Sequence, residues 1–108
     1  MNVDNVKSQM RKGILEYCIL LILNRRKAYA NDIIQLLQEA RLIVVEGTLY
    51  PLLTRLKNMN LLIYQWIESN QGPPRKYYEL TAEGKKFLEG LEQAWSEVEV
   101  TINHLKEL

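Results

Sequence analysis

Apolar residues recur every three or four positions through most of the 108-residue chain, which is the spacing of one face of an α-helix. The pattern predicts a first helix over residues 4–25, with Asp4 as its N-cap. Its second half is apolar nearly all round, which is typical of a helix buried on several sides. A second helix is predicted over residues 30–40, and the short β-branched connector RLIVV follows it.

The segment EGTLYPLLTRLKNMNLL, residues 46–62, predicts a third helix that contains a proline. Its apolar stripe consists of Leu49, Leu52, Leu53 and Leu56. Proline is tolerated in the first turn of a helix, because the N–H that it lacks would be unpaired there anyway. If Thr48 is the N-cap, Pro51 falls in that turn; if the helix begins near Val45 or Glu46, Pro51 strains or kinks it.

The period then changes to two, which indicates β-strands. In LLIYQWIE, residues 61–68, one side carries Ile63, Gln65 and Ile67, and the other carries Leu62, Tyr64 and Trp66. We expect Trp66 to lie in the core. The Gly72–Pro74 stretch predicts a loop, and KYYELT predicts a second strand, so the two strands form a hairpin.

Thr81 can cap a last helix that runs from about Ala82 to the end. The predicted fold class is therefore mainly α with a small β-hairpin (α+β). The order of three helices, hairpin and long helix is the plan of a winged helix-turn-helix, over about residues 5–80, plus a long C-terminal dimerisation helix, over about 82–107. We expect residues 1–108 to form a single domain.

The polar face of the third helix and the hairpin predict an interface with double-stranded DNA. Side chains on a helix held outward by its leucine stripe can reach phosphates or base edges in a major groove. On the hairpin, or wing, two cations follow the Gly-Pro-Pro stretch and can lie beside the DNA backbone or in a minor groove. The candidate DNA-binding residues are Thr48, Tyr50, Pro51, Thr54, Arg55, Lys57, Arg75 and Lys76.

The last helix carries a seam of apolar residues spaced 3, 4, 3, 4 and 3 apart, which predicts packing along another helix. A second copy of the chain is the simplest partner, with the first helix completing the contact. The candidate dimerisation residues are Val6, Met10, Leu88, Leu91, Trp95, Val98, Ile102 and Leu105. If Trp95 faces its copy across the two-fold axis, a slot for a flat apolar molecule arises at Trp95, Val98 and Glu99; otherwise Trp95 simply fills the interface.

Charge and composition narrow the function classes. Residues 1–80 carry eleven Lys/Arg against seven Asp/Glu, and residues 81–108 carry three against six, so a basic body precedes an acidic tail. The single Cys18 builds no disulfide framework and lies in an apolar run, so we expect a core residue in a reducing, cytoplasmic compartment. His104 is the only histidine, and no metal-ligand spacing, nucleophile motif or Gly-rich phosphate loop is present, which argues against an enzyme, a metal or a cofactor.

The motifs GTLYPLLTRLKNMNLL and GPPRKYYELTAEG together resemble the signature of PadR-type transcriptional regulators. The resemblance is dense over residues 46–84. It implies a dimeric repressor whose C-terminal helix packs against the partner subunit. Some members of the family are sensors of planar, often cationic, molecules that bind between the subunits near a tryptophan. One departure concerns the start of the second helix, where many members read H-G-Y-E and this chain reads Tyr29-Ala30-Asn31-Asp32.

Two hypotheses follow. The first is a sequence-specific, homodimeric repressor relieved by a small planar apolar or cationic ligand at the dimer interface. The alternative is a winged-helix protein-interaction module without DNA readout or effector. Replacing Arg55 and Arg75 by Ala discriminates between them, because only the first requires that DNA affinity be lost while dimerisation persists.

Overall fold

The computed structural model describes residues 1–108 and has four helices and a three-stranded antiparallel sheet, which confirms the predicted fold class. The helices are α1 (Val3–Arg25), α2 (Ala30–Glu39), α3 (Glu46–Asn58) and α4 (Ala82–Lys106), and the strands are β1 (Ala28–Tyr29), β2 (Leu62–Ser69) and β3 (Gly72–Leu80). The strand order is β1-β3-β2. No helix is both long enough and apolar enough to span a bilayer.

The structure corrects the predicted N-cap of α1 and decides between the two alternatives for the start of α3. Asn2, not Asp4, caps α1: its side-chain Oδ1 accepts a hydrogen bond from the Asp4 N–H at 2.8 Å. Val45 is the N-cap of α3, so the helix begins before Thr48. The Thr48 N–H itself donates to the Val45 carbonyl at 3.0 Å. Pro51 therefore lies beyond the first turn, and the Gly47 carbonyl, four residues back, receives no N–H from it.

The wing also differs from the prediction. Gly72, Pro73 and Pro74 begin β3 and do not form the loop, which is confined to Asn70 and Gln71. The two prolines are accommodated because β3 is open on one edge there: β1 reaches only Tyr77 and Tyr78, and a bulge interrupts the ladder between β2 and β3. β1 itself was not predicted, because a two-residue strand is too short to show alternation.

The core forms where α1, α2, α3, the sheet and the first turns of α4 meet. Leu62 is buried and Tyr64 half-buried on the predicted face of β2, but Trp66 is 62% exposed, so its predicted place in the core is wrong. Trp66 contacts Tyr64 and Lys76 and otherwise lines an open groove, so the core does not extend to it. Leu88, on α4, is 2% exposed and packs in this core.

Thr81 fixes the start of α4, as predicted. Its hydroxyl accepts a hydrogen bond from the Gly84 N–H at 2.9 Å and donates one to the Asn60 carbonyl at 2.7 Å. Gly84 packs directly on the backbone carbonyl of Leu61, and a Cβ at residue 84 would overlap that oxygen. The Thr81–Gly84 pair therefore locks α4 onto the turn that joins α3 to β2.

Candidate nucleic-acid interface

The leucine stripe holds α3 on the body of the protein. Leu49, Leu53 and Leu56 are fully buried, and Leu52 is half-buried. The polar residues of α3 therefore face outward, as the helical period requires. The exposed candidates on this helix are Thr48, Tyr50, Pro51, Thr54, Arg55 and Lys57.

The structure separates these candidates into two flanks. Tyr50, Thr54 and Lys57 lie on the side of α3 that faces the wing, where they line grooves shared with β2 and β3. Thr48 and Arg55 lie on the side that faces α1. The guanidinium of Arg55 forms a salt bridge with Glu16 of α1, with Nη2 3.0 Å from Oε1.

The wing brings its two cations against aromatic rings. Lys76 pairs with Trp66 in the β2–β3 ladder, and its Nζ lies 4.6 Å from the ring centroid of Tyr64 and 5.3 Å from that of Trp66. Lys57 approaches the same Tyr64 ring from α3, at 5.6 Å. These distances are those of cation–π contacts, which restrict the lysines and leave their charge exposed to a ligand.

Arg75 contacts a different ring. Its guanidinium carbon lies 4.6 Å from the ring centroid of Tyr29, which in turn packs on Tyr77 with the two centroids 5.3 Å apart. Tyr29 ends β1 and precedes α2, so this contact joins the wing to the beginning of the helix-turn-helix.

Only Arg55 among the basic residues has a carboxylate within 4.0 Å, which leaves Arg75, Lys76 and Lys57 available to an anion.

A groove of about 520 Å³ runs between the start of α2, α3 and the wing. Its lining residues are Tyr29, Ala30, Asn31, Tyr50, Trp66, Pro74, Arg75, Lys76 and Tyr78. Burial, with smaller contributions from Tyr50 and Tyr64, raises the pKa of Tyr78, so this phenol stays neutral and adds no negative charge. The groove thus combines cations, hydrogen-bonding groups and exposed rings, the composition that suits a phosphate-bearing ligand.

Sequence reasoning missed six of the nine residues that line this groove, among them Tyr29, Asn31 and Trp66. Trp66 was assigned to the core because alternation along one strand does not show where the cover of the sheet ends. Tyr29 and Asn31 lie in the stretch that departs from the H-G-Y-E pattern, and that departure was the available signal. The groove brings the wing candidates Arg75 and Lys76 together with Tyr50, and a smaller adjoining groove brings Thr54 and Lys57 to Lys76. The remaining candidates on α3 line neither groove: Thr48, Pro51 and Arg55.

The seam on α4 remains uncovered within the chain from Trp95 onward. Trp95 is 39% exposed and Leu105 57%, and Val98 and Ile102 fall between them. Leu91 is half-buried against the core. Leu88 is the exception: it is already buried by its own chain, so its assignment to the dimer seam is wrong. On α1, Met10 is exposed and Val6 half-buried.

The apolar face of α4 lies close to acidic side chains. Burial, followed by the charges of Glu92, Cys18 and Glu99, raises the pKa of Tyr17 on α1. Glu92 and Glu99 therefore lie near Tyr17, on the side where α1 and α4 pack together. No cluster of His, Cys, Asp or Glu side chains could hold a metal ion.

Comparisons with known proteins agree with this architecture. The profile of the family described as "Transcriptional regulator PadR-like family" matches residues 19–90. A solved PadR-like transcription factor from Bacteroides fragilis is 69% identical and covers 94% of this chain and 98% of its own, with a TM-score of 0.79. A PadR-like transcriptional regulator from Bacillus cereus is 39% identical over 90% of this chain and 95% of its own (TM-score 0.79). A PadR family regulator from Eggerthella lenta is 30% identical over 95% and 90% (TM-score 0.84).

Proposed function

The chain belongs to the transcriptional regulator PadR-like family, and we propose that it is a homodimeric repressor that releases DNA when a small planar molecule binds between its subunits. Membership of the family makes it a DNA-binding transcription regulator, not an enzyme. Such a regulator acts in the cytoplasm. Three proposed features go beyond family membership: the residues that contact DNA, the homodimer and the ligand site.

One observation carries the DNA-binding part: Lys57 of α3 and the wing cations Arg75 and Lys76 line two adjoining grooves, and none of the three has a carboxylate within 4.0 Å. In the proposed complex, α3 enters the major groove, and Tyr50, Thr54 and Lys57 face the bases or the adjoining phosphates. Arg75 and Lys76 contact the backbone from the wing. The other candidates of α3 are proposed to contact the adjoining DNA backbone. They are Thr48 and Arg55, on the side that faces α1, and Pro51.

The exposed seam of α4 supports the dimer. Leu91, Trp95, Val98, Ile102 and Leu105 form a stripe that continues beyond the core of the chain. A row of large apolar side chains that the chain itself leaves exposed is typical of a helix–helix interface. In the proposed dimer, Val6 and Met10 of α1 complete the apolar contact. A two-fold dimer also presents two α3 helices to two half-sites of an operator.

The ligand site belongs to the same interface. Trp95 supplies an aromatic surface, Val98 an apolar neighbour and Glu99 a carboxylate that attracts a cation. A planar molecule that binds one spacing of the subunits better than another shifts the equilibrium between those spacings. When the subunit spacing changes, the distance between the two α3 helices changes as well. The helices then no longer match the two half-sites, and DNA is released.

A charge-matched pair of variants tests the DNA-binding part. Arg75→Ala combined with Lys76→Ala removes two cations from the wing, and Lys85→Ala combined with Lys86→Ala removes two exposed cations from α4. We expect the wing variant to bind duplex DNA at least about tenfold more weakly and with a salt slope lower by about 1.8, and the α4 variant to bind as the wild type does. Equal losses in both variants would show that only net charge matters, which contradicts the proposed interface.

A further inference from the structure

Tyr29 occupies a position that connects three parts of the molecule. Its backbone pairs with Tyr77 in the sheet, its ring packs on the Tyr77 ring, and its N–H faces the Asp32 carboxylate at the start of α2, 3.5 Å away. The strand pairing and the N–H contact fix the Tyr29 backbone, and the Tyr77 ring restrains its side chain. It is therefore suited to hold another group in place.

The group that Tyr29 holds is the guanidinium of Arg75. Arg75 precedes Tyr77 by two residues and so lies on the same face of β3, with its guanidinium carbon 4.6 Å from the Tyr29 ring centroid. A planar guanidinium over a ring keeps N–H groups free at its edge. None of them is bound to a carboxylate, since the one salt bridge of the structure belongs to Arg55.

The second wing cation is held independently. Lys76 is adjacent to Arg75 along the strand, so it points to the opposite face, where it contacts Tyr64 and Trp66. The two cations thus have separate aromatic supports, Tyr29 for Arg75 and the Tyr64–Trp66 pair for Lys76. Removing one support leaves the other intact, which provides an internal control.

We infer that Tyr29 is a positioning residue for DNA binding: its ring holds the Arg75 guanidinium in the groove beside the first turn of α2, where Arg75 contacts one phosphate of the DNA backbone. This deepens the proposed function and rests on it. The groove supplies the place, because Asn31 and Tyr50 line it beside Arg75. Guanidinium and phosphate match in bidentate geometry, and a guanidinium already restrained loses less entropy on binding.

A double-mutant cycle tests the inference. Wild type, Tyr29→Leu, Arg75→Ala and the double variant are titrated with a labelled mixed-sequence duplex at several salt concentrations above ~50 mM. Tyr29→Leu is expected to weaken binding about two- to fivefold, the factor of an exposed cation–π contact. Arg75→Ala weakens binding further and lowers the salt slope by about 0.9. The double variant then binds as Arg75→Ala alone does, because Tyr29 acts through Arg75.

The matched control uses the second cation. In a Lys76→Ala background, Tyr29→Leu keeps its full two- to fivefold effect, about the same as in the wild type. If Tyr29→Leu weakens binding equally with Arg75 present or absent, or does not weaken it at all, the inference is overturned while the proposed function stands. If the wild type binds no duplex in a salt-dependent way, the proposed function itself fails, and the inference with it.

A second pair of variants covers the case in which Tyr29→Leu unfolds the protein. Tyr29→Phe keeps the ring and is expected to bind as the wild type does. Arg75→Lys keeps the charge on an exposed strand but loses the planar fork, so we expect the salt slope to persist and affinity to fall about two- to fivefold. Wild-type affinity in Arg75→Lys would overturn the inference.

Discussion

The guanidinium of Arg55 on α3 is bound to the carboxylate of Glu16 on α1, with Nη2 3.0 Å from Oε1. The Arg55 side chain is 60% exposed, and exposed pairs of this kind contribute about 0–1 kcal/mol, so a DNA phosphate can compete for the arginine. The pair also connects the helix proposed to bind DNA to the helix that packs on α4.

Glu16→Gln should strengthen DNA binding. The change releases Arg55 and removes a negative charge from the side of the molecule that would face the DNA backbone. We expect about two- to fivefold tighter binding of a duplex at ~100 mM salt, measured by fluorescence anisotropy. Glu97→Gln, on the exposed outer face of α4, removes the same charge far from α3 and serves as the control. An equal gain in both variants would contradict a specific role for Arg55.

The two tryptophans should report on different sites. Trp66 lines the groove beside the wing, and Trp95 lies on the exposed seam of α4. In a Trp95→Phe variant, a duplex should change the emission of Trp66, whereas a planar phenanthridinium dye should not. In a Trp66→Phe variant, the dye should quench Trp95. Dye quenching that is equal in both variants would argue against a ligand site at Trp95.

Ile102→Glu should dissociate the dimer, because it places a charge in the seam of α4. Val100→Glu is the matched control: Val100 is also an exposed apolar residue of α4, but it lies on the outer face with Glu97. Sedimentation analysis should show monomers for the first variant and dimers for the second. Dimers in both would place the interface elsewhere.

Gly84→Ala should destabilise the fold, because the new Cβ would overlap the Leu61 carbonyl. Forcing a group into a filled site costs about 1–3 kcal/mol of unfolding free energy. Gly90→Ala is the control in the same helix, where a Cβ meets no atom within 4 Å. That change should stabilise by about 0.5–1 kcal/mol, since alanine favours helix more than glycine does. Urea denaturation measures both, and equal effects would refute the packing account of Gly84.

Stability should fall in alkali. Burial raises the pKa of the Cys18 thiol, and burial with the neighbouring Tyr50 and Tyr64 raises that of Tyr78. The unfolded chain therefore releases these protons first, near about pH 8.5 and about pH 10. The unfolding free energy should be constant below about pH 8 and decrease as the pH rises through and above these values. Urea denaturation from about pH 8 to about pH 11 measures this. Cys18→Ala should flatten the lower part of the profile, and Tyr78→Phe should reduce the fall in the upper part, to which Tyr17 also contributes.

The order of elements could be predicted from periodicity because each helix buries a regular stripe. Leu49, Leu53 and Leu56 recur at helical spacing and are all buried. The start of α3 could not be decided, because Thr48 and Val45 are both compatible with the same leucine stripe. The chain accepts Pro51 beyond the first turn, so the preference of proline for helix starts was not decisive here.

The site was predicted in part. Residue type and spacing identified the cations of the wing, but not the rings that hold them. The contact between Arg75 and Tyr29 joins residues far apart in sequence, through a strand of only two residues. Trp66 was misassigned because its exposure depends on where the helices stop covering the sheet. Such information lies in tertiary packing and has no local signature.

Sequence-specific DNA binding can be measured by a titration that compares DNA upstream of the protein's own gene with a random duplex of equal length, at ~150 mM salt. Non-specific affinity is weak under these conditions, so any preference reflects base readout or DNA shape. A DNA-binding repressor of the proposed kind should prefer the upstream DNA at least about 1,000-fold, the lower bound for specific regulators. Equal affinity for the two duplexes would contradict the account.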